Sequence, residues 1–178
     1  MNIYLIGYRG TGKTTVARLL AARLGWRAVD ADERLEQLAG RSISEIFAAD
    51  GELAFRDLES TVLDQLALQE HFVVSLGGGV VLRERNRKVL RGGRVVWLRA
   101  PAAELWERIS RDPSTGGRRP NLTARGGVEE VEQLLGEREP LYRQCANLTV
   151  ETAGVTPAEV ADQIATWYSG EDARWTSG

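Results

Sequence analysis

The sequence predicts an α/β fold, a three-layer α/β/α arrangement around a five-stranded parallel sheet. Two observations carry this. Five short apolar runs, "NIYLIG", "RAVDAD", "HFVVSLGGG", "RVVWLRA" and "NLTVE", alternate with stretches of helical apolar spacing. Their apolar character calls for helices on both faces of the sheet.

Each element follows from local signals. "NIYLIG" reads as a buried strand closed by glycine. "KTTVARLLAARLG" sets Val16, Leu19, Leu20 and Leu24 at helical spacing before Gly25. "RAVDAD" is the second strand and "ERLEQLAG" a helix with its own terminal glycine. "SISEIFAADG" opens with Ser42 and Glu45 three residues apart, a capping-box pattern. "ELAFRDLESTVLDQLAL" reads as a long amphipathic helix, and "HFVVSLGGG" as a strand running into three glycines. The helix "RERNRKVLRGG", the strand "RVVWLRA" and the helix "PAAELWERISR", with proline in its first turn, come next. A helix over about residues 128–144 should end or kink at Pro140. The strand "NLTVE" and the helix "TPAEVADQIATWY" complete the order. The segment "DPSTGGRRPNLTARGG" is too long and polar for an ordinary connection and reads as a lid. The tail "SGEDARWTSG" lacks periodicity and is expected to be disordered.

Composition narrows the function. With 178 residues, 43% apolar and 27% charged, the chain suits one domain, over residues 1–170, before a tail at 171–178. A net charge of −2, with no basic stripe, speaks against a nucleic-acid partner. No apolar run is long enough to span a bilayer and no signal peptide is legible, so a cytoplasmic location with no membrane partner is expected. The one cysteine, Cys145, and the one histidine, His71, read as structural residues.

Residues 7–14, "GYRGTGKT", fit G-x-x-x-x-G-K-[ST] with a strand before and a helix after. Glycines let successive N–H groups turn toward phosphate oxygens, and the helix adds its positive end. Lys13 would reach the β- and γ-phosphates, and the Thr14 hydroxyl would sit on Mg²⁺. Lys13 is one of two lysines beside 21 arginines, placed where a compact point charge must fit a tight loop.

"VDAD" places Asp30 and Asp32 at the C-terminal end of a strand, on one face by the period of two. One would help hold Mg²⁺ while the other meets a substrate hydroxyl; Asp32 as a helix cap is the plainer alternative. Arg56 and Glu59, three apart on a helix, fit a solvated ion pair. The glycines of "SLGGGV" suit a close approach of ligand to backbone. Arg118 and Arg119 lie in the lid segment, and Arg138 precedes Pro140.

Taken in order, "GYRGTGKTT", "DAD", "GRSISEIF", "FRDLE", "SLGGG", "RRPNL" and "REPLY" resemble the shikimate kinase family over about residues 2–168. The resemblance implies a P-loop fold of the nucleoside monophosphate kinase group, with a substrate-binding region near residues 31–60 and a mobile lid near 112–126. It implies transfer of the γ-phosphoryl group of ATP to the 3-hydroxyl of shikimate, on the route to chorismate and the aromatic amino acids. Gly10, Thr11, Gly12, Lys13, Thr14 and Thr15 would hold the phosphates, with Thr14 and Asp30 at Mg²⁺. Asp32 would orient the shikimate hydroxyls. Arg56 and Arg138 would grip its carboxylate, beside Gly78 and Gly79 and with Glu59 in support. Arg119 would be the lid arginine, with Arg108 over adenine and Pro157 at its edge. Lys13, Asp32 and Arg119 are the expected catalytic set, and a monomer is expected. The chain departs from the family pattern at Asn121, where a leucine is usual, and in a longer, glycine-rich stretch at 112–117.

Two rivals differ in what they require. A gluconate kinase of the same group would not need two arginines for a rigid cyclic carboxylate. A silent binding relative should have lost Lys13, Asp32 or a carboxylate-binding arginine, and all are present.

Overall fold

The structure is a computed structural model and describes residues 1–111 and 127–175. The lid segment at 112–126, with Arg118, Arg119 and Asn121, lies outside the described residues, as do residues 176–178.

Five parallel strands form one sheet in the order β2-β3-β1-β4-β5. They are β1 (Ile3–Ile6), β2 (Arg27–Asp30), β3 (Phe72–Ser75), β4 (Arg94–Arg99) and β5 (Leu148–Glu151). The helices are α1 (Lys13–Leu24), α2 (Ala31–Ala39), α3 (Ile43–Ala67), α4 (Glu84–Leu90), α5 (Ala102–Arg111), α6 (Gly127–Cys145) and α7 (Pro157–Trp175). A 3₁₀ turn, Val80–Leu82, follows the glycines after β3.

Strand periodicity sorts the core into two layers. Ile3 and Leu5 of β1, with Val96 and Leu98 of β4, pack against α1 and α7. Tyr4 and Ile6, with Val95 and Trp97, face α2, α3 and α6 on the other side. Successive strand side chains point to opposite faces, so both alternating sets must be apolar when both faces are covered. A third cluster, of Tyr8, Ala100, Leu105, Ile109, Val131 and Leu134, lies where α5 and α6 meet the loop after β1.

The capping signals are realised. The Ser42 hydroxyl accepts from the Glu45 amide, and the Glu45 carboxylate accepts from the Ser42 amide at 2.7 Å. Those bonds to Ser42 hold the Glu45 carboxyl below the usual carboxylate range. Thr156 and Glu159 repeat the pattern before α7. Gly51, at φ 79° and ψ 179°, breaks α3 between its capped first segment and the long second one. Only a residue without Cβ adopts that conformation freely.

Three expectations are corrected. The strand β2 ends at Asp30 and α2 begins at Ala31, so Asp32 is a helical residue rather than a strand-end partner of Asp30. α6 spans Gly127–Cys145, close to the expected 128–144, so of the two outcomes expected at Pro140 the helix does not end there. The carbonyl that Pro140 leaves without an amide belongs to Gly136, which is exposed, so water can satisfy it. α7 runs to Trp175, so residues 169–175 are helical rather than a disordered tail.

Candidate active site

The loop after β1 is shaped by its glycines. Gly7 has φ 138°, and a Cβ there would overlap the Leu98 carbonyl oxygen. Gly10 has φ 83°, and its Cβ would lie 3.1 Å from Ile109 and 3.3 Å from the Leu105 carbonyl oxygen. Gly12 caps α1 in the left-handed region. The loop therefore runs flush against β4 and α5, with the N-terminus of α1 opening above it. Lys13 is 9% exposed, and its Nζ donates to the carbonyls of Gly7 (2.9 Å) and Tyr8 (2.8 Å). An ammonium thus sits at the loop, bonded to the loop's own carbonyls. Thr11 is buried in the loop, and Thr15 is exposed at the third position of α1.

At the C-terminal ends of β2 and β3, Asp30 and Ser75 are register partners. The Thr14 hydroxyl donates to Asp30 Oδ2 at 2.7 Å and lies 3.3 Å from Ser75 Oγ. Asp30 Oδ1 accepts from the amides of Asp32 (3.0 Å) and Glu33 (3.3 Å). One oxygen of Asp30 caps α2 while the other meets the phosphate loop. The helix cap is therefore Asp30, not Asp32. Asp32 is half-buried in the first turn of α2 and is not needed as a cap. A cavity of about 80 Å³ is lined by Thr14, Asp30, Ser75, Arg18 and Glu33, among others.

The two arginines named from the sequence converge on the glycine turn. Arg56 and Arg138 are 6% and 5% exposed. A Cβ on Gly79 would come within 2.6 Å of Arg56 Cζ, and one on Gly78 within 3.6 Å of Arg138 Nη1. The glycines leave room for guanidinium groups. Arg56 donates to Glu59 (2.9 Å) and, through Nε and Nη2, to Glu52 (3.2 and 3.1 Å). Burial works against the Arg56 charge, but the Glu59 and Glu52 carboxylates outweigh it and hold its pKa above the ordinary value. The Arg56–Glu59 pair is therefore buried, which corrects the expectation of a solvated surface bridge. Spacing of three residues reports a shared face, not which way that face points.

Arg138 differs. Among the described residues its guanidinium has no carboxylate partner and its buried Nε no hydrogen-bond acceptor. It stacks over the Tyr8 ring at 5.8 Å. One turn along α6, the Tyr142 hydroxyl donates to the Gly78 carbonyl at 2.6 Å, fixing the helix that carries Arg138 on the glycine turn. Sequence reasoning missed Tyr142, Glu52 and Ser75. The i, i+4 spacings of Arg138 with Tyr142 and Glu52 with Arg56 were available as signals. Ser75 was legible only through the strand order.

On the other side of the loop lies a cleft of about 290 Å³, lined by Gly10, Gly12, Val16, Arg108, Val155 and Pro157, among others. Arg108 donates to the Gly10 carbonyl (3.2 Å) and the Thr152 carbonyl (2.8 Å), and pairs with Glu104. It ties α5 to the phosphate loop and to the turn after β5. Arg108 and Pro157, far apart in sequence, share this cleft. Cys145 is half-buried, and burial pushes its thiol pKa up, which suits a packing residue.

A family model described as shikimate kinase matches residues 9–169. A shikimate kinase from Rhodopirellula baltica is 42% identical over 164 residues, 92% of this chain and 88% of that protein. One from Gloeobacter violaceus is 45% identical over 164 residues, 92% and 90% of the two chains. Among solved structures, shikimate kinase from Acinetobacter baumannii in complex with shikimate superposes with a TM-score of 0.89. It is 36% identical and covers 96% of this chain and 93% of that one.

Proposed function

The chain belongs to the shikimate kinase family and is a kinase that transfers the γ-phosphoryl group of ATP to shikimate, and from that premise we propose the role of each site residue. The observation that carries the assignment is Arg138: a buried guanidinium without a carboxylate partner among the described residues, beside Arg56 on one glycine turn. A buried cation is costly unless an anion joins it. A substrate carboxylate would fit that need, gripped by Arg138 and Arg56 through planar forks. Glu59 and Glu52 keep Arg56 oriented, and Gly78 and Gly79 leave both guanidinium groups room.

ATP would lie with its phosphates on Gly10, Thr11, Gly12, Thr14 and Thr15. Its base would enter the cleft of Arg108 and Pro157. Lys13 would exchange its bonds to the Gly7 and Tyr8 carbonyls for phosphate oxygens. Its charge would then offset the charge that spreads over the transferring group. Asp32 would accept the hydroxyl proton and align the oxygen for in-line attack. Arg119, from outside the described residues, would add a further cation at the phosphates.

The donors present fit Mg²⁺. Among the described residues no cluster of three or more His, Cys, Asp or Glu could hold a metal. Thr14 and Asp30 offer one hydroxyl and one carboxylate, an oxygen set that leaves room for phosphates and waters, as Mg²⁺ prefers. Thr14 and Asp30 would hold the ion, which would supply neutralisation of the phosphate charge.

No helix among the described residues is long and apolar enough to cross a membrane. We place the protein in the cytoplasm, in keeping with its composition, and carry forward the expectation of a monomer.

Calorimetric titration of shikimate and of its carboxamide tests the carboxylate assignment. The acid should bind at least about tenfold more tightly, a difference of ~1.4 kcal/mol. Equal affinities would remove the role given to Arg138.

A further inference from the structure

Tyr8 has no role in the scheme above, yet it touches both halves of the site. Its carbonyl accepts from Lys13 Nζ at 2.8 Å and from the Thr11 hydroxyl at 2.8 Å. Two guanidinium groups approach its ring, Arg138 at 5.8 Å and Arg9 at 5.9 Å from the centroid. Both distances fall within the range over which a ring face attracts a cation. The side chain is 1% exposed and packs with Ala100, Leu105, Ile109, Val131 and Leu134. Its buried hydroxyl faces the Arg9 guanidinium without a well-formed hydrogen bond.

The surroundings fix that ring. Arg9 pairs with Glu130 at 3.4 Å, and Glu130 is 1% exposed on α6, the helix that carries Arg138. One helix therefore supplies the anion that anchors Arg9 and the cation that rests on Tyr8. Burial raises the Tyr8 pKa while Arg9 and Arg138 oppose it, and the net shift is upward, so the ring stays a neutral phenol near pH 7.

We propose that Tyr8 is a positioning residue that seats Arg138 against Gly78 and thereby couples phosphate-loop occupancy to affinity for the acidic substrate. The proposal rests on the reading of Arg138 as a carboxylate ligand. The coupling follows from one residue serving two partners. When phosphate takes the Lys13 ammonium, the Tyr8 carbonyl loses a charge-assisted hydrogen bond and its peptide readjusts, with the ring attached to the same Cα. A loop ordered by nucleotide also fixes the ring under Arg138, so the second ligand does not repeat that ordering cost. The effect is reciprocal by linkage.

Calorimetry on the full chain tests this, titrating shikimate with and without Mg²⁺ and the ATP analogue bridged by nitrogen between its β- and γ-phosphorus atoms. In the wild type the nucleotide should tighten shikimate binding about fivefold or more. Tyr8→Phe keeps the ring and should retain that factor. Tyr8→Leu and Tyr8→Met remove it. They should weaken shikimate about threefold to tenfold and bring the factor toward one, with affinity for the analogue alone within about twofold of wild type. Thermal melting shows which variants are folded, and two ring-free variants guard against the loss of one. A wild-type factor of one, or a ring-free variant with the wild-type factor, overturns the proposal. Arg138→Lys separates the two readings. If it binds shikimate normally, the carboxylate assignment itself is wrong; if it weakens binding while the ring-free variants do not, only the role of Tyr8 fails.

Discussion

Arg56 fills the space into which a side chain at Gly79 would project, its Cζ only 2.6 Å from where a Cβ would be. The atoms in the way are the tip of a flexible side chain, so Gly79→Ala should fold with nearly unchanged thermal stability but displace the guanidinium. Shikimate affinity should fall by about tenfold or more, ~1.4 kcal/mol. Gly7→Ala is the contrast: its methyl would overlap the rigid Leu98 carbonyl at φ 138°, so it should lose melting temperature instead. Equal shikimate affinity in Gly79→Ala and wild type would show that Arg56 need not stay where it is.

The arginine pair makes a stronger demand. Arg56→Lys and Arg138→Lys keep charge but lose the fork, and each should cost about 2–5 kcal/mol of shikimate binding if the carboxylate is desolvated between them. Affinity for ATP should stay nearly unchanged. Discrimination against the carboxamide should shrink in both variants. Normal shikimate binding in both would return Arg56 to a purely structural partner of Glu59.

Asp30 and Asp32 now make separable predictions. Since Asp30 caps α2, Asp32→Asn should leave stability intact and ATP binding near normal while turnover nearly stops. Asp30→Ala should lower stability by about 1 kcal/mol through the lost cap and also weaken Mg²⁺-dependent nucleotide binding. Urea denaturation and nucleotide titration on the same two variants distinguish them. Full turnover in Asp32→Asn would remove it from the chemistry.

Lys13 tests the phosphate loop. Lys13→Ala removes a charge whose value grows as the phosphoryl group transfers, so turnover should drop about a hundredfold or more, beyond the loss in ATP affinity. Stability should fall as well, because Nζ holds the Gly7 and Tyr8 carbonyls of the loop. Near-normal turnover would mean that the loop does not serve phosphate.

The strands and the phosphate loop were legible because each is written in contiguous residues with a local physical reason. The glycines at 7, 10 and 12 and the Ser42–Glu45 cap needed no tertiary information. What was illegible depended on where an element stops or which way it faces. "VDAD" reads as a strand until Asp30 turns its own side chain onto the next two amides and starts a helix. Pro140 reads as a stop or a kink until Gly136, whose carbonyl it leaves without an amide, proves to be exposed. The meeting of Arg56 and Arg138 on Gly79 and Gly78 could be expected only from family resemblance, since the two arginines are far apart in the chain. The burial of Glu59, which decides how much its pair matters, appears only once α3 is packed.

The central claim is that this loop and this arginine pair together phosphorylate one particular hydroxy acid. A coupled assay of ADP release with ATP and Mg²⁺, run with shikimate and with quinate and gluconate as controls, tests it most directly. The account predicts rapid ADP release with shikimate, phosphorus NMR showing one new phosphate ester in equal amount, and little release with either control. ADP release with gluconate at a rate matching or exceeding that with shikimate would contradict it.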